Sequence, residues 1–244
     1  MFDVFFISYH EQYADDNFKV LKEKAPLAKR VDGIKGIFNA HKRAAELSKT
    51  KMFYVIDADA ILLNDFNFDY QPTELDEAYE SILATDCVHT WRAINPINDL
   101  VYGYGGAKLF PAKGLREAKG WNLDFTTSVV KHFKPMLQVS NITAFNTDPY
   151  STWKSAFREC SKLVSSIVTL PSGKKFLRRK QHEDTEKRLD IWCTVGADKE
   201  FGEYAIAGAN AGREYGAKNR TNDKALNKIN DYAWLKEQYE RNYN

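Results

Sequence analysis

A chain of 244 residues with 43% hydrophobic and 28% charged residues can bury a sizeable core and is too apolar to stay disordered. Its three cysteines, Cys87, Cys160 and Cys193, stand far apart, which excludes a disulfide framework or a paired-cysteine zinc site and fits a reducing compartment. No apolar run reaches the roughly 20 residues that span a bilayer. The Met1–Ile7 start carries no basic segment of the signal-peptide kind, so a soluble, cytoplasmic protein is expected.

The net charge of +2 is unevenly spread: residues 1–110 hold 12 Lys and Arg against 17 Asp and Glu, and residues 111–244 hold 23 against 16. An acidic front and a basic back suit a metal–nucleotide site followed by a surface for an anionic acceptor. Ordinary solvated helices produce the same split.

Phe2–Ser8 reads as a first, central strand that gives way to the polar Ser8-Tyr9-His10-Glu11. Asp15 or Asp16 is placed to cap a helix with Phe18, Leu21 and Ala25 on one face, stopped by Pro26. Ala28–Val31 is a second strand. Gly33 to Gly36 introduce a helix to about Ser48, with Ile37, Ala40, Ala44 and Leu47 inward. Phe53–Ile56 is an unbroken apolar strand that ends in Asp57-Ala58-Asp59. This alternation predicts an α/β fold with a mostly parallel sheet flanked by helices. Ligands collect at the C-terminal edge of such sheets, and two carboxylates there suit Mg²⁺ or Mn²⁺ beside substrate phosphates. The plain alternative is a pair of solvated turn aspartates.

Residues 65–80 are acidic and read as a loop with room for a short helix. Cys87–Arg92 alternates like a half-buried strand, and residues 95–99 form a turn. The strand over 100–110 is interrupted by Gly103, Gly105 and Gly106, which marks either a β-bulge or a bend along which a sugar lies. Trp91 and Arg92 are candidates for the same pocket, Arg92 as a phosphate partner. Pro111 opens a short helix to Ala118, a further segment covers Trp121–Lys134, and Val139–Phe145 is a last strand. Asp148 precedes a helix over Tyr150–Val168 with Trp153, Phe157, Leu163 and Ile167 inward, and is placed to cap it.

Lys174, Lys175, Arg178, Arg179 and Lys180 form a basic cluster in a surface loop over 171–182. Helices are expected over 183–194, 203–215 and 227–243. A boundary near residue 150 separates an α/β core, 1–150, from a helical C-terminal region, 151–244, packed on it.

The strand ending in Asp57-Ala58-Asp59 resembles the GT-A glycosyltransferases, whose Asp-x-Asp motif holds Mn²⁺ or Mg²⁺ against a nucleotide-sugar diphosphate. A second resemblance is to glycosyltransferase-like proteins of tailed phages. It rests on Phe6–Glu11, Asn95–Asn98 with Tyr102–Gly106, and Ser140–Pro149. The resemblance implies a Rossmann-like fold and a nucleotide-sugar donor, bound near Ser8, Tyr9 and Lys35. It implies metal at Asp57 and Asp59, with donor contacts from Asp57, Arg92, Gly105 and Gly106. Asp148 is the first candidate base and Asp124 the second, and His132 and His182 are candidates for a third metal ligand.

The acceptor suggested by the phage likeness is DNA carrying a hydroxymethylated pyrimidine, with Lys174, Lys175, Arg178 and Arg179 against phosphates. Tyr150, Trp153, Phe176 and Trp192 would stack a base or simply form core. A polysaccharide or lipid-linked acceptor competes. A nucleotidyltransferase and a non-catalytic nucleic-acid binder also stay open, although Ser8–Asp16 lacks the glycine-rich loop of the former.

Overall fold

The computed structural model describes residues 1–79, 81–121, 123–130, 132–169, 175–177 and 183–243, and of residues 104, 167–169, 175–177, 183 and 242 the backbone alone. Two compact units are present, residues 1–95 with 101–144 and residues 96–100 with 145–244.

The first unit runs β1 (Asp3–Ser8), α1 (Ala14–Lys24), β2 (Lys29–Asp32), α2 (Ile37–Leu47), β3 (Met52–Asp57), β4 (Ala60–Leu62), β5 (Glu77–Tyr79), β6 (Ile82–Leu83), β7 (Cys87–Ile94), β8 (Val101–Pro111), α3 (Ala112–Glu117), α4 (Phe125–Val129) and β9 (His132–Thr143). Seven strands form one sheet in the order β2-β1-β3-β8-β7-β9-β4. The pairs β1–β2, β1–β3 and β7–β9 are parallel, and β3–β8, β7–β8 and β4–β9 antiparallel. The α/β class expected from the alternation is therefore present, with the β7–β8 pair and short β4 adding the antiparallel members.

Both faces of the sheet are covered, which is why β3 reads as a continuous apolar run. Met52, Tyr54 and Ile56 enter one core with Val4, Phe6, Leu21, Phe66, Phe68 and Trp91. Phe53 and Val55 enter the other with Phe5, Ala44, Val88, Phe110, Leu115 and Phe125. Each such buried aliphatic or aromatic side chain contributes about 1.5–3 kcal/mol relative to exposure.

Several expectations are corrected. The N-cap of α1 is Tyr13, without a side-chain bond; Asp15 and Asp16 lie within the first turn, where negative charge suits the helix dipole. The inward face of α2 is Ala40, His41, Ala44 and Ala45, while Ile37 and Leu47, at its two ends, are exposed. No helix forms in the described part of 65–80. Asp76 Oδ2 accepts from the Thr73 N–H and hydroxyl at 2.6 and 2.8 Å, a local turn that competes with helix, and the β5–β6 hairpin follows. Cys87–Trp91 is buried throughout rather than alternating, because β7 is covered on both faces. The segment 121–134 yields only the five-residue α4, since its end pairs in parallel with β7 from His132 onward.

The second unit comprises α5 (Pro149–Ser165), β10 (Ile167–Thr169), β11 (Lys175–Leu177), α6 (Glu183–Thr194), α7 (Gly202–Lys218), α8 (Asp223–Leu226) and α9 (Tyr232–Tyr243). Helix α5 stops at Ser165, where Ser166 turns left-handed at φ 52°, and Ile167 starts a strand instead of facing the helical core. That strand pairs with β11, so the described part of the expected loop over 171–182 is half of an antiparallel hairpin. The final helix starts at Tyr232 rather than at 227, because Asp231 Oδ1 accepts the Trp234 N–H at 3.1 Å and caps it there. Helix α7 lies directly on α5 through Gly208, Gly212 and Gly216. A Cβ at Gly212 would sit 2.2 Å from the Phe157 carbonyl oxygen, so no side chain fits.

Candidate active site at the sheet edge

The register brings the C-terminal ends of β1, β2, β3, β7 and β9 to one edge of the sheet, where β8 and β4 begin. Asp57 is the last residue of β3, Ala58 and Asp59 make a tight turn, and Ala60 opens β4. The turn is pinned from both sides. Asn17 Nδ2 donates to the Ala58 carbonyl at 2.8 Å, and the Ala144 N–H donates to the Asp59 carbonyl at 2.7 Å.

Beneath the turn lies a charge that the sequence reading did not single out. Lys108 on β8 is 2% exposed and its Nζ donates to Asp57 Oδ2 at 2.6 Å. In register Lys108 stands opposite Val55, and strand alternation puts it on the same face as Asp57. Burial nevertheless lifts the Asp57 carboxyl above its ordinary value against the pull of Lys108. Burial first, and the Asp57 charge second, push Asp59 to about 7. Glu11, on the β1–α1 loop, raises both further. Part of each aspartate remains open to solvent, which softens this repulsion.

Two more polar groups line the buried side. His41 packs its ring on Phe125 and Phe110, at 4.4 and 5.4 Å between centroids. Desolvation, then the Lys108 charge, hold it well below the usual imidazole range, so it is neutral. Its Nδ1–H donates to the Ile37 carbonyl at 2.8 Å, leaving Nε2 buried without a partner among the described residues. The Thr90 hydroxyl, on the residue paired with Lys108, is also buried without a partner among them.

The donor set fits a hard divalent cation in one way. Two neighbouring buried carboxyls, both raised by desolvation and one of them further by the other's charge, are what a cation relieves, and Mg²⁺ or Mn²⁺ takes its remaining ligands from water and phosphate. Among the described residues no group of three carboxylates, imidazoles or thiols is arranged to hold a metal. His132 opens β9 opposite Cys87, at the far edge of the sheet and about 17 Å along β7 from the position level with Asp57, so it is not a third ligand. His182 lies outside the described residues.

No protein-family model matches the chain, and no curated protein matches it. Among solved structures it is similar to HddC from Yersinia pseudotuberculosis, at 13% identity and a TM-score of 0.35, over 57% of this chain and 92% of that one. So low a likeness decides nothing. The functional reading rests on the residues of the chain itself.

The remaining candidates divide. Ser8 is 1% exposed, and its hydroxyl is consumed within the chain: it donates to Asp32 Oδ1 and accepts from Arg30 Nε at 2.8 Å. The polar group presented by this part of the edge is thus Asp32, at the end of β2 and exposed, which spacing along the chain did not reveal. Tyr9 is 41% exposed, and Lys35 is exposed just before α2. Arg92 is half-buried on β7, paired with Tyr104 and Val139. Gly105 faces open space. Gly106 is filled from the other side, because a Cβ there would sit 2.3 Å from the Asn141 amide. The β7–β8 register shifts around Arg92, so a bulge is present beside this bend.

Trp91 is 1% exposed within an aromatic cluster of Tyr54, Phe66 and Tyr70, which removes it from any pocket. Trp153 and Trp192 are likewise buried core of the second unit, and Tyr150 is half-buried. Asp148 caps α5: its Oδ1 accepts the Ser151 N–H at 2.8 Å, and hydrogen bonds outweigh burial to hold its carboxyl below the ordinary value. Asp124 caps α4 through the Thr127 N–H and hydroxyl, at 3.1 and 3.2 Å. Lys174, Arg178, Arg179 and the neighbouring Lys180 lie outside the described residues. So do the side chains of Lys175 and Phe176. Among the described residues no helix is long and apolar enough to cross a membrane.

Proposed function

We propose that the chain is a glycosyltransferase that moves a sugar from a nucleoside diphosphate onto an acceptor hydroxyl at this edge of the sheet. The observation that carries the reading is the Asp57–Asp59 turn, which sets two mutually repelling carboxylates at the C-terminal mouth of a buried strand. Asp59 and the outer oxygen of Asp57 would hold Mn²⁺ or Mg²⁺. The ion supplies charge stabilisation to the departing diphosphate.

The chain's own residues do the rest. Asn17 and Ala144 keep the turn rigid, so the carboxylates need no reorganisation when the donor arrives. Asp32, Tyr9, Lys35 and the open face at Gly105 would line the place for the nucleotide and sugar, with Arg92 for phosphate. For an inverting course the acceptor hydroxyl needs a base. Asp148→Asn and Asp124→Asn both preserve a helix cap, so a loss of turnover with unchanged stability would assign that base.

The acceptor proposed is hydroxymethylated DNA, supported by the basic balance of residues 111–244 and the phage likeness. The first experiment is thermal shift with UDP- and GDP-sugars, with and without Mn²⁺. Stabilisation that needs both the sugar nucleotide and the cation supports the enzyme. Stabilisation by DNA alone would replace it with a binding protein. Product mass spectrometry with hydroxymethylated DNA and with free glycans then separates the acceptors.

A further inference from the structure

We propose that Lys108 is a positioning residue for the aspartate pair: its ammonium holds the inner oxygen of Asp57, so that a divalent cation at this edge meets only Asp59 and the outer oxygen of Asp57. The inference deepens the reading above and rests on its cation site. Lys108 differs from a surface lysine in every respect that matters. It projects from a central strand, is 2% exposed, and cannot swing to water. Its ion-pair partner is Asp57, at 2.6 Å. His41 and the Thr90 hydroxyl on its buried side carry no charge, so its counter-charge comes from Asp57, its ion-pair partner, with Asp59 also within electrostatic reach.

Asp57 in turn has one oxygen fixed inward and cannot rotate to chelate with both. A cation at the edge therefore sees the two aspartates less one buried positive charge. The fixed ammonium weakens cation binding and orients Asp57, leaving ligand positions to a diphosphate.

Isothermal titration of the 244-residue chain with Mn²⁺ alone tests this, with circular dichroism and thermal melts as the fold control. Lys108→Met should bind Mn²⁺ about tenfold more tightly than wild type, since the removed charge repels the ion on the scale of one pKa unit. A merely structural lysine would leave that affinity unchanged or lower it, and either result in a folded variant overturns the proposal.

Lys108→Met can also strand a half-buried carboxylate and fail to fold, so the double variant Lys108→Met/Asp57→Asn is decisive in that case. It removes both charges of the pair, should fold, and should bind Mn²⁺ within about threefold of wild type, because the charge facing the ion is unchanged. Asn keeps an oxygen at position 57, so a loss beyond that threefold in the double variant would mean that the Asp57 charge acts on the ion without being offset by Lys108, and overturns the proposal. So would an absence of Mn²⁺ binding in wild type and every variant. No sugar nucleotide enters these titrations. Mn²⁺ binding that follows the expected order without any sugar transfer therefore sinks the glycosyltransferase reading and leaves Lys108 in its role.

Discussion

Two aspartates in this chain sit at junctions of secondary structure and are treated in opposite ways. Asp59 follows a buried strand in a two-residue turn, and the next residue enters another strand, so the backbone there offers its carboxylate little beyond the N–H of Asp59 itself. Burial first, then the charges of Asp57 and Glu11, outweigh the pull of Lys108 and push its carboxyl up to about 7. Asp148 precedes a helix, whose first turn presents orphan N–H donors, and its carboxyl is held down by the Ser151 N–H and its neighbours. One carboxylate is satisfied by the fold and the other needs something from outside it. The same residue type after a strand or before a helix therefore carries different functional weight.

The two aspartates are expected to differ most in turnover. Asp59→Asn is expected to lower transfer by roughly 10³-fold, as loss of a cation ligand at the leaving group does, while Asp148→Asn keeps it within a few-fold. A slow Asp148→Asn enzyme with an unchanged melting temperature would make that residue the base and remove the contrast. Next in size is metal linkage. Mn²⁺ at a hundred times its dissociation constant should stabilise wild type and Asp148→Asn by about 2.7 kcal/mol, and Asp59→Asn by far less. Equal shifts in all three proteins would place the cation elsewhere.

The pH dependence sharpens the electrostatics. A carboxyl raised in the folded state keeps its proton between the ordinary value near 4 and about 7, where the unfolded chain has lost it. Stability of the metal-free protein from this group is thus greatest at low pH and declines as pH rises through that window. Asp59→Asn should be more stable than wild type at pH 8, by on the order of 2 kcal/mol after allowance for solvent at the turn, and equal to it at pH 4. For Asp148 the sign reverses: its contribution is present above the ordinary carboxylate value and is lost as pH falls through the depressed one. The smallest effect is the cap itself. Asp148→Ala should cost about 1 kcal/mol in urea denaturation and Asp148→Asn close to nothing. An equal loss in both would show that charge, and not the cap hydrogen bond, holds the helix start.

Much of the front half was legible from residues alone. The buried run at Phe53–Ile56, the acid pair closing it and the strand–helix alternation before it depend on neighbours within a few positions. The cap at Asp148 does too, through a bond that reaches three residues along the chain. Where local signals misled, a competing local bond or a distant strand had won. Asp76 closed a turn where a loop with room for a short helix was expected, and pairing with β7 drew 132–134 out of the expected segment.

The partners that give the edge its chemistry are of another kind. Lys108 meets Asp57 across 51 residues, and nothing in its own stretch separates it from a solvated lysine on an edge strand. Asp32 replaces Ser8 as the exposed group only because Arg30 and Asp32 close on that hydroxyl once β1 and β2 are in register. Gly106 is small because of Asn141, and Gly212 because of the Phe157 backbone, although each glycine alone reads as a weak point. Caps and periodicity act over one turn or one pleat, so they are written in short stretches of sequence. Burial of a charge, and the closeness of one backbone to another, are properties of strands and helices brought together from afar, and they exist only once the chain has folded.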